Sequence, residues 1–320
     1  MAKYHFPRCQ VTPLPDHRTE VAIDGKTRMC WRFGEDYPRP FIFPLNGPSG
    51  SCLTRMGHPG AENHDHHQSV WFAHHKVLGI NFWANESDAF IRQKNWLVYE
   101  DGDEEAIVAV SLGWYDGHDP KELLTQELIM AVRPGLTNPD ETIIDLQSRF
   151  VPTSESLEFQ KTNFGFLAVR VAKNISAYFG GGKLTDNEGR VDEKNIFGNQ
   201  AKWVDYSGPV PGTIATGDLG VEQPWEGITY FDHPDNPRFP TRWHVREDGW
   251  MGASLCFDEP IVTTQSEPLF VRYRLHAHAG PVDAAQAEAV QADFASRPEY
   301  RIEKPTGVKH RQWVVVKADR

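Results

Sequence analysis

Apolar and polar positions along much of this chain follow a period of two. Over 269–277, Phe270, Arg272, Arg274 and His276 alternate with Val271, Tyr273, Leu275 and Ala277, and an extended strand sends two such sets to opposite faces. The β-rich run 106–112 follows an acidic turn at 100–105 and is predicted as the second arm of a hairpin. Strands are also predicted at 124–132 and 142–150, set off by Arg133-Pro134-Gly135 and Asn138-Pro139-Asp140, both turn chemistry. Segments 166–172, 227–231 and 242–246 extend the series. One segment carries a helical signature: Pro281-Val282-Asp283 opens it, 284–296 is rich in Ala, Gln and Glu, and Pro298 follows its end.

Many short strands punctuated by 26 Gly and 23 Pro predict an all-β fold, a large antiparallel β-sandwich with one C-terminal helix, rather than alternating βαβ units. No fixed-period repeat or low-complexity linker interrupts the pattern, so residues 1–320 read as a single domain. The polar stretch 176–198, with Gly180-Gly181-Gly182, reads as a loop over a site.

Composition narrows the class. With 320 residues, 39% hydrophobic and 12% aromatic, the chain can bury a large core, and 24% charged residues is ordinary for a folded domain. The 33 Lys plus Arg against 44 Asp plus Glu give a net charge of -11 without a basic stripe, which argues against nucleic acid as a partner. Apolar runs such as 106–110 fall far short of the roughly 20 residues of a membrane helix. The first residues show no apolar signal core. The four cysteines form no C-x-x-C pair and read as reduced thiols of a cytoplasmic protein.

Candidate chemistry gathers in three places. His58, His64, His66, His67, His74 and His75 put six of 14 histidines within 18 residues, around the apolar run 70–73. Imidazole exchanges protons near neutral pH and ligates metals, although the spacing here matches no zinc signature. If the segment is extended, His66 and His74 share one face and His67 and His75 the other. The second place is the proline-rich stretch 230–246, which carries Asp232, His233, Asn236, Trp243 and His244. It reads as a rigid platform for a polyhydroxylated ligand, or as a structural corner whose Asp232 and Asn236 satisfy nearby backbone. The third is Lys202 to Gly208, where Trp203, Asp205 and Ser207 alternate with Val204 and Tyr206 and offer an aromatic surface and a carboxylate. Lys161, Asn163 and Glu127 are weaker candidates beside predicted strands. No phosphate-binding loop, dinucleotide fingerprint or nucleophile elbow is present.

These blocks carry a family resemblance. Arg39-Pro40-Phe41-Ile42-Phe43-Pro44-Leu45-Asn46-Gly47-Pro48-Ser49-Gly50, then 64–83, then Trp203 to Gly208, then Asp232-His233-Pro234, Asn236-Pro237 and Trp243-His244 resemble, in this order, the PmoA-like family. The resemblance spans about 37–280. That family consists of soluble bacterial proteins bearing a methane-oxygenase label. The label does not transfer, because the membrane monooxygenase subunit of that name needs membrane spans and none is readable here. The resemblance implies a supersandwich similar to the galactose-mutarotase superfamily. It also implies company with sugar-oxidising dehydrogenases, hence bacterial carbohydrate catabolism. The family follows its paired histidines with Arg, whereas Gln68 follows His66 and His67 here.

The expectation is a carbohydrate-active enzyme of epimerase, lyase or glycoside-hydrolase type. His66, His67 or His74 would act as acid or base, with Asp205 or His244 opposite. Trp203 and Trp243 would stack on the sugar, joined by Tyr206, Lys161, His233 and Asn236. One alternative places Zn, Mn or Fe on three of His64, His66, His67, His74 and His75, with His64, His66 and His74 as the leading set. A non-catalytic sugar-binding protein is the other. No cofactor is firmly predicted, and no nucleic-acid or membrane partner is expected.

Overall fold

The computed structural model describes residues 5–58, 60, 64–216, 220–307 and 309–318. Short strands with alternating burial assemble, as the sequence pattern predicts, into an all-β sandwich. The chain begins with β1 (Cys9–Leu14), β2 (Arg18–Ile23), β3 (Lys26–Arg32), β4 (Phe41–Leu45) and β5 (Val70–His74), laid side by side in a first sheet. It then crosses to a second sheet and builds a meander from β6 (Phe90–Glu100), β7 (Ala106–Tyr115), β8 (Leu124–Pro134) and β9 (Thr142–Pro152). Turn 100–105 joins β6 and β7, as its acidic, glycine-containing sequence predicts.

The chain then alternates between the sheets. After β10 (Ser156–Phe159), β11 (Gly165–Arg170) returns to the first sheet beside β5. The helical turn α1 (Ala177–Gly180), strand β12 (Lys183–Asp186) and the turn α2 (Glu193–Ile196) occupy the stretch predicted as a loop. Strand β13 (Trp203–Pro209), the hairpin β14 (Ile214–Thr216) and β15 (Gly220–Glu222), and β16 (Trp225–Asp232) follow. The hairpin β17 (Trp243–Arg246) and β18 (Trp250–Ala253) ends the first sheet. Strand β19 (Ile261–Thr264) pairs with β10, and β20 (Leu269–Ala279) enters the second sheet between β16 and β9. Last come α3 (Ala284–Ser296) and a hairpin of β21 (Tyr300–Glu303) and β22 (Val314–Lys317).

Each large sheet has eight strands, ordered β1-β2-β3-β4-β5-β11-β18-β17 and β12-β13-β16-β20-β9-β8-β7-β6, with antiparallel pairing between neighbours. Their inner faces share one core, in which Phe72, Phe150, Phe166, Tyr230, Trp243 and Tyr273 interlock at aromatic geometry. The outer face of the second sheet is also covered. Ile143, Trp203 and Phe231 lie under Ala287, Val290 and Phe294 of α3, and Val98, Ala109 and Ile129 lie under Tyr300 at the C-terminal hairpin. The polar face of β20 is therefore buried, and its Arg272, Arg274, His276 and His278 must be satisfied by protein partners. The outer face of the first sheet carries an aromatic cluster of Phe41, Trp71, Trp83 and Trp250. Among the described residues, no helix is long and apolar enough to cross a membrane.

Candidate functional site

Strand register builds the site. Trp71, Ala168, Gly252 and His244 are successive cross-strand partners over β5, β11, β18 and β17, so they form one row on the outer face of the first sheet. Arg170, Trp250 and Arg246 form the neighbouring row. Ala168 and Gly252 are the small members, and a Cβ added at Gly252 would lie 3.1 Å from the Trp250 ring. Large side chains around them fold over this low ground. They enclose a cleft of about 450 Å³ whose lining includes His66, His67, Trp83, Phe164, His244 and Trp250. His64, His75, Asn81, Arg170 and Asp248 complete much of its rim.

The indole of Trp250 lies between two imidazoles. The His67 ring stacks on it at 5.2 Å and 20°, and the His244 ring meets it edge-on at 5.6 Å. His67 also stacks on Trp71 and touches His66 at 4.4 Å. A carbonyl oxygen only accepts, so the 3.1 Å contact of His244 Nδ1 with the Asn163 carbonyl makes Nδ1 the protonated nitrogen. The neutral ring then presents an unshared electron pair at Nε2. His244 Nε2, His67 Nδ1 and the indole nitrogens of Trp71, Trp83 and Trp250 are buried without a hydrogen-bond partner among the described residues. A buried polar atom left unpaired costs about 1–3 kcal/mol, so such a group of atoms marks a place for a polar ligand.

Electrostatics keep these rings neutral. Burial pushes His244 down to about 4 and His67 far below the usual imidazole range, and it lowers His64 and His75 as well. Arg170, wholly buried, forms a bidentate pair with Asp248 at 2.8 and 3.1 Å, and His58 Nε2 lies 3.3 Å from the same carboxylate. Burial opposes the charged form of Asp248, yet Arg170 and His58 hold its carboxyl below the usual range. Beneath the floor, the buried Arg39 guanidinium donates to the carbonyls of His66 and Trp83 at 3.1 and 2.8 Å and to Gln68 Oε1 at 3.3 Å. One guanidinium thus ties the histidine loop to the loop carrying Trp83.

Several predicted residues lie elsewhere. His74 points to the inner face, between Phe159 and Phe166, and its Nδ1 accepts from the Lys76 backbone N–H. The expected facing of His66 with His74 fails because the strand begins only at Val70. Ser69, at φ 61°, turns the chain there and leaves His66 and His67 together at the cleft. The set His64, His66 and His74 is thereby split across a sheet. Among the described residues, no three His, Cys, Asp or Glu side chains are grouped to hold a metal ion. Asp205 is on the outer face of the second sheet, where His278 Nε2 donates to it at 2.8 Å and Thr229 donates at 2.9 Å.

Trp203 packs beneath α3 and donates to Glu288, while Trp243 lies in the inter-sheet core and donates to the Ala201 carbonyl. Tyr206 is in the same core, its hydroxyl donating to the Arg246 carbonyl. The proline-rich stretch is a structural corner. Asn236 donates to Asp232 and to the Arg272 carbonyl, Asp232 accepts from Thr241 N–H, and His233 is held by Asp235 N–H and the Phe294 carbonyl. Lys161 lines a groove next to the cleft. Glu127 lies on β8 opposite Arg149.

Sequence reasoning passed over Trp83, Phe164, Arg170, Asp248, Trp250 and Arg39. A signal existed for two of them, because Asp248-Gly249 before Trp250 is hairpin chemistry, and Gly249 takes φ 102° in that turn. The segment 176–198 does border the site, with Phe197 against the His244 ring and Glu193 pairing with Arg246 at 2.6 Å.

The chain belongs to a family of unknown function, DUF6807, whose model matches residues 18–292. No curated protein matches the sequence. Among solved structures, YeaD of Salmonella typhimurium, provisionally described as a mutarotase, is similar at 11% identity and a TM-score of 0.28. The match covers 85% of this chain and 94% of that one, and the superposition is too loose to bear on activity.

Proposed function

We propose that the outer-face cleft binds a sugar and moves protons on it. The observation that carries this reading is Trp250 set between His67 and His244, with buried, unpartnered ring nitrogens on all three. Aromatic faces suit the C–H surfaces of a pyranose, and the unpartnered N–H groups and imidazole nitrogens suit its hydroxyls. His244 is the base, because its Asn163 contact directs the electron pair to Nε2 and burial keeps the ring neutral. His66, half-buried at the mouth, supplies the returning proton.

The reaction of lowest demand for such a pair is opening and reclosing of a hemiacetal. The base takes the proton of the anomeric hydroxyl, the C1–O5 bond breaks to the aldehyde, and the ring oxygen receives a proton from the partner. Reclosure on the other face reverses each transfer and gives the other anomer. Lyase and hydrolase chemistry would need an acid matched to a leaving alkoxide, and among the described residues the one carboxylate lining the cleft, Asp248, is committed to Arg170.

The test is anomer exchange in freshly dissolved aldoses, followed by NMR or polarimetry, alongside ligand-induced shifts in melting temperature. Acceleration that is lost in His244→Gln supports the reading. Saturable binding without exchange reduces it to a sugar-binding protein, and neither binding nor exchange across hexoses and pentoses removes it.

A further inference from the structure

The cleft does not end at Phe164 and His75. These two side chains also line a second groove of about 570 Å³, whose other walls are Lys76, Lys161, Thr162, Asn163 and Phe257. Among the described residues, no acidic residue lines this groove. The lysine ion pairs of the structure involve Lys26, Lys94, Lys202 and Lys317, and none among the described residues involves Lys76 or Lys161. Asn163 joins the two spaces, since its side lines the groove while its carbonyl orients His244.

The charge behind the cleft has the same sign. Arg39 is buried and bonded to carbonyls and side-chain amides, with no carboxylate partner among the described residues. Arg55 donates to the Asp248 carbonyl and keeps two buried, unpartnered guanidinium nitrogens. Asp248 offsets Arg170, and Glu193 offsets Arg246. Among the described residues, Arg39 and Arg55 behind the cleft and Lys76 and Lys161 in the groove remain as cations without a carboxylate ion pair, in a protein whose net charge is -11. A low-dielectric cleft focuses such a field, and a positive one inside an acidic protein selects anionic ligands.

We infer that the substrate is an anionic sugar, its ring against Trp250 and its carboxylate or phosphate in the groove between Lys76 and Lys161. This rests on the sugar reading of the cleft and adds the class of sugar. A hexuronate and a sugar phosphate share the required chemistry, a polyhydroxylated ring with a negative group a few bonds from the anomeric carbon.

Calorimetry on the whole protein at low salt decides it, with glucose, glucuronate, glucose 6-phosphate and inorganic phosphate as probes, on wild type and on Lys76→Ala/Lys161→Ala. The expected result is that one anionic sugar binds about tenfold or more tighter than glucose, that salt weakens the preference, and that the preference vanishes in the double variant. Whichever anionic sugar wins identifies carboxylate or phosphate. Equal binding of the three sugars overturns the inference while leaving the sugar site in place. A preference that survives in the double variant, or inorganic phosphate binding as tightly as the sugar phosphate, overturns it as well. Binding of none of the sugars removes the sugar reading and this inference together.

Discussion

At the scale of single residues, His244 and His74 are set apart by the face of the first sheet that each occupies. His244 and His74 are both buried and both held neutral, the first at about 4 and the second at about 3. Yet His244 opens on the cleft, while His74 lies among Phe159 and Phe166 in the core. Their Gln variants should therefore separate. His244→Gln keeps an N–H for the Asn163 carbonyl but loses the base. Turnover is expected to fall by roughly 10²–10⁴-fold, with stability changed by only about 1 kcal/mol. His74→Gln should lower the melting temperature and leave turnover per folded molecule near wild type. Steady-state rates and thermal melts on the two proteins check this, and the reverse pattern would assign the chemistry to the wrong imidazole. Gln68 is also settled at this scale: its Oε1 accepts from the buried Arg39 guanidinium, which the chain carries just ahead of β4.

At the scale of elements, β20 shows how an alternating pattern can be satisfied without a solvated face. Its apolar set enters the core, and its polar set is buried under α3 and paired. Asp145 of β9 accepts from Arg133 at 2.6 Å and from Arg274 at 2.6 and 3.2 Å, and both arginines reach on to Asp293 of α3. Burial works against its charge, but the two guanidiniums hold the Asp145 carboxyl well below the usual range. Asp145→Asn leaves two buried cations short of an anion, so a loss of about 3–5 kcal/mol is expected in urea unfolding. A loss under 1 kcal/mol would mean that Asp293 alone suffices. The neighbouring His278 donates through both nitrogens, to the Ala279 carbonyl and to Asp205. Burial opposes its charge and Asp205 outweighs it, raising the ring above its usual value. Gly227 makes room for it, since a Cβ there would lie 2.8 Å from His278 Nε2. Asp205 is thus engaged in holding β13, β16 and β20 together, far from the chemistry expected of it from sequence.

At the scale of the whole molecule, buried imidazoles set the response to acid. Burial holds His74 at about 3 and His233 and His244 at about 4, against about 6.5 in an unfolded chain. A base depressed on folding contributes stability that is complete above the unfolded value and is lost as pH falls toward the folded one. Asp232, pushed up to about 7 by burial, and the raised His278 act in the opposite sense, their contributions being lost as pH rises. Three imidazoles outweigh these two groups, so the melting temperature should fall steadily from pH 7 to pH 4. A flat or rising profile in calorimetric scans would show that the depressed rings are hydrated.

The β-sandwich and α3 were legible in the chain, because a period of two, turn residues at its breaks and a capped Ala-rich segment act locally and need no knowledge of distant partners. So was the histidine cluster as a place, since residues adjacent in sequence remain adjacent in space. The facing of its members was not, because one left-handed residue at Ser69 breaks the alternation on which facing depends. Nor was the identity of the polar faces. Trp203-Asp205 and Trp243 read like a ligand platform until α3 covers one and the opposite sheet covers the other. The cleft itself joins β5, β11, β17 and β18, which are separated by long stretches of chain, and only their register puts Trp71, Ala168, Gly252 and His244 in one row. Sequence by itself determined which segments are strands and where imidazoles are concentrated; tertiary pairing decided which imidazoles face a cleft, because burial and partnership are properties of contacts between remote residues.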